Sequence, residues 1–131
     1  MSKCVSGSPS ERADWAGSLR QFAIVWGLPV AAILVAAPFA PPAKTLVWTG
    51  ALIWMGAACL ANARRCGRTH CRFTGPYFLA LAGLTLAHGG GLLPLGPHGW
   101  AAIGLGGAVG AALLWWGSER LMGKYFGSPK R

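Results

Sequence analysis

Four stretches of this chain contain no Asp, Glu, Lys or Arg. They are Phe22–Phe39 (FAIVWGLPVAAILVAAPF), Leu46–Ala63 (LVWTGALIWMGAACLANA), Tyr77–Leu95 (YFLALAGLTLAHGGGLLPL) and Trp100–Gly117 (WAAIGLGGAVGAALLWWG). Each has 18 or 19 residues. At about 1.5 Å rise per residue, such a helix covers roughly 27 Å, close to the hydrocarbon thickness of a bilayer. Buried helices of soluble proteins are seldom so uniformly apolar four times in succession. The chain therefore reads as an all-α integral membrane protein, a four-helix bundle forming one domain over residues 1–131. The predicted helices lie near 22–39, 46–63, 77–95 and 100–117, between a short N-terminal segment and a C-terminal tail.

The links set the pairing. APPAK joins the first two stretches and GPHG joins the last two. Links this short force neighbouring helices to run antiparallel, which predicts two transmembrane hairpins. A longer charged link, Arg64–Pro76, connects them.

Charge then predicts orientation. The chain holds 12 basic and 3 acidic residues, a net charge of +9. On a soluble domain that excess would suggest nucleic acid. Here it alternates with apolar stretches instead of forming a face, so no nucleic-acid partner is expected. Eleven of the basic residues fall in the N-terminal segment, the central link and the tail, whereas only Lys44 falls in the other links. The positive-inside rule places both termini and the central link in the cytoplasm of a prokaryotic inner (plasma) membrane protein. The bilayer, with its anionic headgroups, is the first expected partner. Pro follows the small residues Ala37 and Ala40, which argues for a first helix that is retained and not cleaved as a signal peptide. Trp48 and Trp100 are expected at the outer interface, and Trp26 and Trp54 between helices.

Two features bear on packing. Gly106 and Gly110 form a GxxxG pair, which suits close approach of another helix in lipid. Pro29 removes one backbone donor from the first helix and should kink it. Assembly into a homo-oligomer or a larger membrane complex is compatible with the glycine-rich fourth helix.

The chemistry concentrates in RRCGRTHCRFTGP, residues 64–76. Thr74 or Gly75 reads as a cap for the third helix, with Pro76 in its first turn. Cys66 and Cys71 are separated by four intervening residues, with His70 beside the second. Cys59 lies seven residues before Cys66, on the same face if the helix continues. All three cysteines, and Cys4, are predicted near the reducing side, where structural disulfides are disfavoured. Reduced thiols beside an imidazole are soft ligands for Cu(I), Zn(II) or Hg(II), so Cys66, Cys71, His70 and Cys59 form the candidate metal set. Neighbouring arginines favour the thiolate. Arg64, Arg65, Arg68 and Arg72 are candidate lipid or anion contacts. Arg64, Arg68 and Arg72 would align on one helical face, although Gly67 weakens that helix. The blander reading of the same stretch is a positive anchor on anionic lipid with small cysteines packing inside. His88 is a candidate intramembrane polar site, because ionisable groups in a bilayer tend to serve function. His98 reads as a turn residue.

The block RRCGRTHCRFTGPYFL, followed by LPLGPHGW, resembles a group of small uncharacterised prokaryotic membrane proteins over roughly Asn62–Trp100. The resemblance implies no activity. The architecture also resembles four-helix mercuric-ion transporters, which carry a cysteine pair in the first helix. This chain has Gly27–Pro29 there, so only Cys66 and Cys71 could take a receiving role. The leading expectation is soft-metal handling or transport. The rivals are a non-enzymatic accessory subunit of a larger complex and, less favoured without a C-x-x-C, a thiol oxidoreductase. Hydrolytic chemistry has little support, since Glu11, Asp14 and Glu119 are the only carboxylates and lie outside the apolar stretches.

The topology has a direct test. A reporter active only in the periplasm should be silent when fused after Arg72 or Arg131 and active after Lys44 or Gly96. Activity after Arg72 would overturn four alternating spans.

Overall fold

Lipid offers no hydrogen-bond partners to a bare backbone, so the apolar stretches must satisfy their own peptide groups as helices. The computed structural model describes residues 18–123 and, of Cys66, only the backbone. Four helices fill this region: α1 (Leu19–Ala36), α2 (Pro41–Cys66), α3 (Thr69–Gly89) and α4 (Gly99–Met122). α1, α2 and α4 are long and apolar enough to cross a membrane. The protein is an all-helical membrane protein.

The largest departure from the sequence reading is the central link. Gly67 adopts a left-handed conformation, φ 67°, and its N–H closes α2 on the Ala63 carbonyl at 2.8 Å. Gly tolerates that conformation without steric cost. The chain re-enters helix at Thr69, so the expected thirteen-residue link shrinks to Gly67 and Arg68. Thr74 and Gly75 are therefore buried inside α3 and do not cap it, and Pro76 lies in the helix interior. Pro76 has no N–H for the Arg72 carbonyl. α3 then ends at Gly89 and not at residue 95, because Gly90, Gly91 (φ 78°) and Pro94 carry the chain out of helix.

In α1 the expected Pro29 distortion takes the form of a π turn over Ala23–Gly27. A widened turn gives the proline ring room beside the preceding carbonyls. At the other end of α1, Ala37 bonds to Leu34 in place of Ile33. The freed Ile33 carbonyl accepts from Trp48 Nε1 at 3.0 Å. Trp48 is thus buried against α1, where it caps a helix carbonyl. Trp26 is buried as expected, whereas Trp54 points outward.

Each consecutive pair of helices runs antiparallel. The tightest seam joins α2 to α3, across the central link and outside both predicted hairpins. Glycines create it. A Cβ on Gly56 would stand 3.0 Å from the Gly75 carbonyl and 2.9 Å from Leu79, and one on Gly75 would stand 2.8 Å from Leu60. Between α3 and α4, Tyr77 donates to the Gly106 carbonyl at 2.6 Å and its ring occupies the space a Cβ on Gly110 would need. The Gly106–Gly110 pair therefore receives a tyrosine of its own chain. α1 packs along α2 and shares no backbone seam with α4. Phe22 and Trp26 bridge them at one end, with ring centroids 5.9 and 6.5 Å from that of Trp115.

Polarity is inverted relative to a soluble bundle. The largest fully buried side chains are His70, Asn62, Thr69, Thr85, Cys59 and Cys71, while Leu28, Leu34, Leu46, Leu105 and Leu113 face outward. Lipid covers the apolar exterior, leaving the interior free to hold hydrogen-bonded polar groups.

Replacing Gly56 by Val should destabilise the bundle by about 1–3 kcal/mol, the usual effect of overpacking. Gly50, on the same helix, has nothing within 4 Å of its Cβ position. Gly50→Val should leave the melting temperature in detergent almost unchanged; equal losses from the two substitutions would refute the glycine seam.

Candidate functional site

The short central link places the start of α3 beside the ends of α2 and α4, and the residues of RRCGRTHC meet partners far along the chain. His70 is 1% exposed. Its Nδ1 lies 2.8 Å from Glu119 Oε1 and its Nε2 lies 3.3 Å from Cys71 Sγ. A carboxylate only accepts, so Nδ1 carries the proton toward Glu119. In the neutral ring Nε2 is then the acceptor for the Cys71 thiol. The ring stacks on Trp115 at 3.8 Å with 7° between planes, which fixes its orientation.

Glu119 also accepts from Arg68 Nε at 2.8 Å. It is the one carboxylate side chain among the described residues. One oxygen thus holds both the guanidinium and the imidazole, and Arg68 is itself buried. Burying an arginine without an anion would be costly, and the pairing with Glu119 offsets that cost.

Two sulfurs complete the chain. Cys71 Sγ accepts from Asn62 Nδ2 at 3.5 Å, and Cys59 Sγ accepts from Thr74 Oγ1 at 3.6 Å. Cys59 packs in the same buried cluster as Cys71 and Trp26. Both cysteines are free thiols with no solvent exposure. Thr74 Oγ1 also lies 2.8 Å from the His70 carbonyl, so its single proton is shared between that oxygen and the sulfur, tying Cys59 to the backbone that carries the imidazole. The order Arg68–Glu119–His70–Cys71–Cys59 is a continuous path from a buried ion pair to a buried dithiol.

Comparison with protein-family models, with curated proteins and with solved structures finds no match. The chemistry must be read from the geometry itself.

Of the candidate ligands, Cys59, His70 and Cys71 are brought together. The side chain of Cys66 and the whole of Cys4 lie outside the described residues. Among the described residues no three histidine, cysteine or carboxylate side chains are disposed to hold a metal ion jointly. The reason is visible in the imidazole, whose two nitrogens are both engaged. The arginines separate into two groups. Arg64, Arg65 and Arg72 are exposed, while Arg68 turns inward to Glu119. The continuous Arg64–Arg68–Arg72 stripe does not form, because Gly67 breaks the helix between them.

His88 sits at the opposite end of the bundle, where its Nδ1 faces the Leu93 carbonyl at 3.1 Å and the Leu95 N–H at 3.4 Å. It braces the turn after α3. Sequence reasoning missed Glu119, Asn62 and Trp115. Glu119 carried one usable signal, as a lone acid opposite a cluster of arginines.

Glu119→Gln should cost about 1–3 kcal/mol, the range for leaving a buried polar partner unsatisfied. Arg68→Met alone should also destabilise, and the two changes together should cost less than their sum. A thermal-unfolding double-mutant cycle in detergent measures this coupling; strict additivity would show that the pair is not linked.

Proposed function

We propose that Cys59 and Cys71 form a carrier site for a thiophilic metal cation, in a small prokaryotic inner-membrane protein whose four spans form two hairpins with both termini cytoplasmic. The observation that carries this reading is the convergence of two buried thiols on an imidazole already oriented by a carboxylate. Thiolates, not thiols, bind soft ions, so binding must displace protons. His70 Nε2 stands where it can take the Cys71 proton, and the resulting imidazolium is stabilised by Glu119. A divalent soft ion between two thiolates is neutral overall, which suits a low-dielectric interior. Hg(II) fits that balance, and Cu(I) shares the preference for sulfur. Zn(II) fits poorly, because it asks for four ligands and both nitrogens of His70 are occupied. Exposed Arg64, Arg65 and Arg72 serve anionic headgroups beside the cytoplasmic entrance.

Thiol–disulfide exchange is the second reading, favoured by the same base-assisted thiol with a second thiol in reach. Cys71 thiolate would attack a substrate disulfide and release one thiolate. Cys59 would then resolve the mixed disulfide, leaving a Cys59–Cys71 disulfide and a fully reduced substrate.

Purified protein titrated with Hg(II) or Cu(I) should bind one ion per chain with a sulfur-to-metal absorption band. Cys59→Ser and Cys71→Ser should each abolish it. His70→Gln should retain the sulfurs but shift binding to higher pH, because the proton acceptor is lost. Retained stoichiometry in both serine variants would overturn the carrier site. A Cys59–Cys71 disulfide trapped by alkylation from metal-free membranes would favour exchange.

A further inference from the structure

The missing seam between α1 and α4 leaves a groove of about 940 Å³. That is near the top of the roughly 300–1,000 Å³ range of ligand sites. α2 and α3 form its floor, with Leu52 and Phe78 among the lining residues, and α1 and α4 form its walls, with Leu34 and Ala108. The stacked pair His70 and Trp115 closes one end, and both His70 nitrogens are already bonded, so that end offers a ligand little beyond ring surface. The other end differs in kind. Lys44 and Trp100 line it, and the Lys44 ammonium lies 5.1 Å from the centre of the Trp100 ring.

Among the described residues no carboxylate lies near Lys44. Glu119, the one acid among the described residues, is paired at the opposite end of the bundle. The groove is therefore apolar along its length with a single positive charge at its mouth. From Trp100 to Trp115 on α4 the wall runs about 22 Å at 1.5 Å per residue, longer than the roughly 15 Å of one leaflet's hydrocarbon. An acyl chain, which fills one leaflet, therefore fits within the length of the groove.

We infer that this groove binds one anionic phospholipid, with its phosphate at Lys44 and an acyl chain between α1 and α4. The polarity matches end for end: a single negative headgroup at the half-buried lysine and hydrocarbon against Leu34, Phe78 and Ala108. Trp100 orders the lysine through its ring face and so presents the ammonium at the groove mouth. The site is separate from the sulfur pair and does not depend on the metal reading.

The test compares retention of phosphatidylglycerol and phosphatidylcholine with identical acyl chains, measured by native mass spectrometry of the detergent-purified chain. Wild type should retain phosphatidylglycerol roughly fivefold more, the ratio expected from one lysine at an anionic headgroup. Lys44→Gln should abolish the preference and Lys44→Arg should keep it. Ala108→Trp, at an exposed position on the groove wall, should lower retention of both lipids while leaving the melting temperature of lipid-free protein unchanged. Equal retention of the two lipids by wild type would overturn the proposal. So would a preference that survives Lys44→Gln, or full retention in a folded Ala108→Trp variant, which would leave the groove unused.

Discussion

A single carboxylate oxygen, Glu119 Oε1, receives Arg68 and His70 together, and the interior of this bundle is organised around it. The contact joins the last turn of α4 to the start of α3, some fifty residues apart in sequence. It lets an arginine remain inside the bundle, and it sets which nitrogen of His70 faces the thiol. A charge pair of this kind adds little net stability over apolar packing, but breaking it is expensive. Its value here is positional: it selects one rotation of the imidazole and one depth of α3 relative to α4. Trp115 stacking on the imidazole restricts the same ring from its face.

The bundle's inversion follows from its solvent. Leu and Val side chains gain nothing from leaving lipid, so helix association must come from close packing and hydrogen bonds. The glycines of the α2–α3 seam supply the first, and Asn62 on Cys71, Tyr77 on the Gly106 carbonyl and Trp48 on the Ile33 carbonyl supply the second. Thr74 and Thr85 each bond to a carbonyl four residues back, which satisfies a buried hydroxyl without a partner helix. A polar interior costs little where its members have hydrogen-bond partners, and among the described residues only the buried hydroxyls of Thr49 and Thr69 have none.

Much of this was legible in the residues. The uncharged runs located α1, α2 and α4, and the hydrogen-bonding neighbours Cys71 and His70 stood next to each other in the sequence. Cys59 was reachable through its helical spacing. The start of the third helix differs because Pro76 fits the first-turn preference so well that the sequence pattern places it there; the left-handed Gly67, nine residues earlier, is the true break. Glu119 escaped because local spacing says nothing about which helix ends meet. Trp48 and Trp54 show the same limit: one indole caps a carbonyl fifteen residues away and the other faces outward, a difference set by helix rotation that composition does not encode.

The attachment of α1 has a consequence for how the bundle comes apart. α2 and α3 share the central seam, and the end helices α1 and α4 are each held by one further seam; α4 adds the ion pair at Glu119, whereas α1 adds only an aromatic cluster at one end and the Trp48 cap at the other. Free energies of partial opening differ across a structure, and the element with the fewest shared contacts opens first. α1 is therefore a detachable stave. Its π turn supplies a place to bend, and its departure would uncover Trp26 and the flank of Cys59 without disturbing the ion pair at Glu119. The three-helix remainder would stay intact, so the chain contains a smaller cooperative unit nested within the larger one.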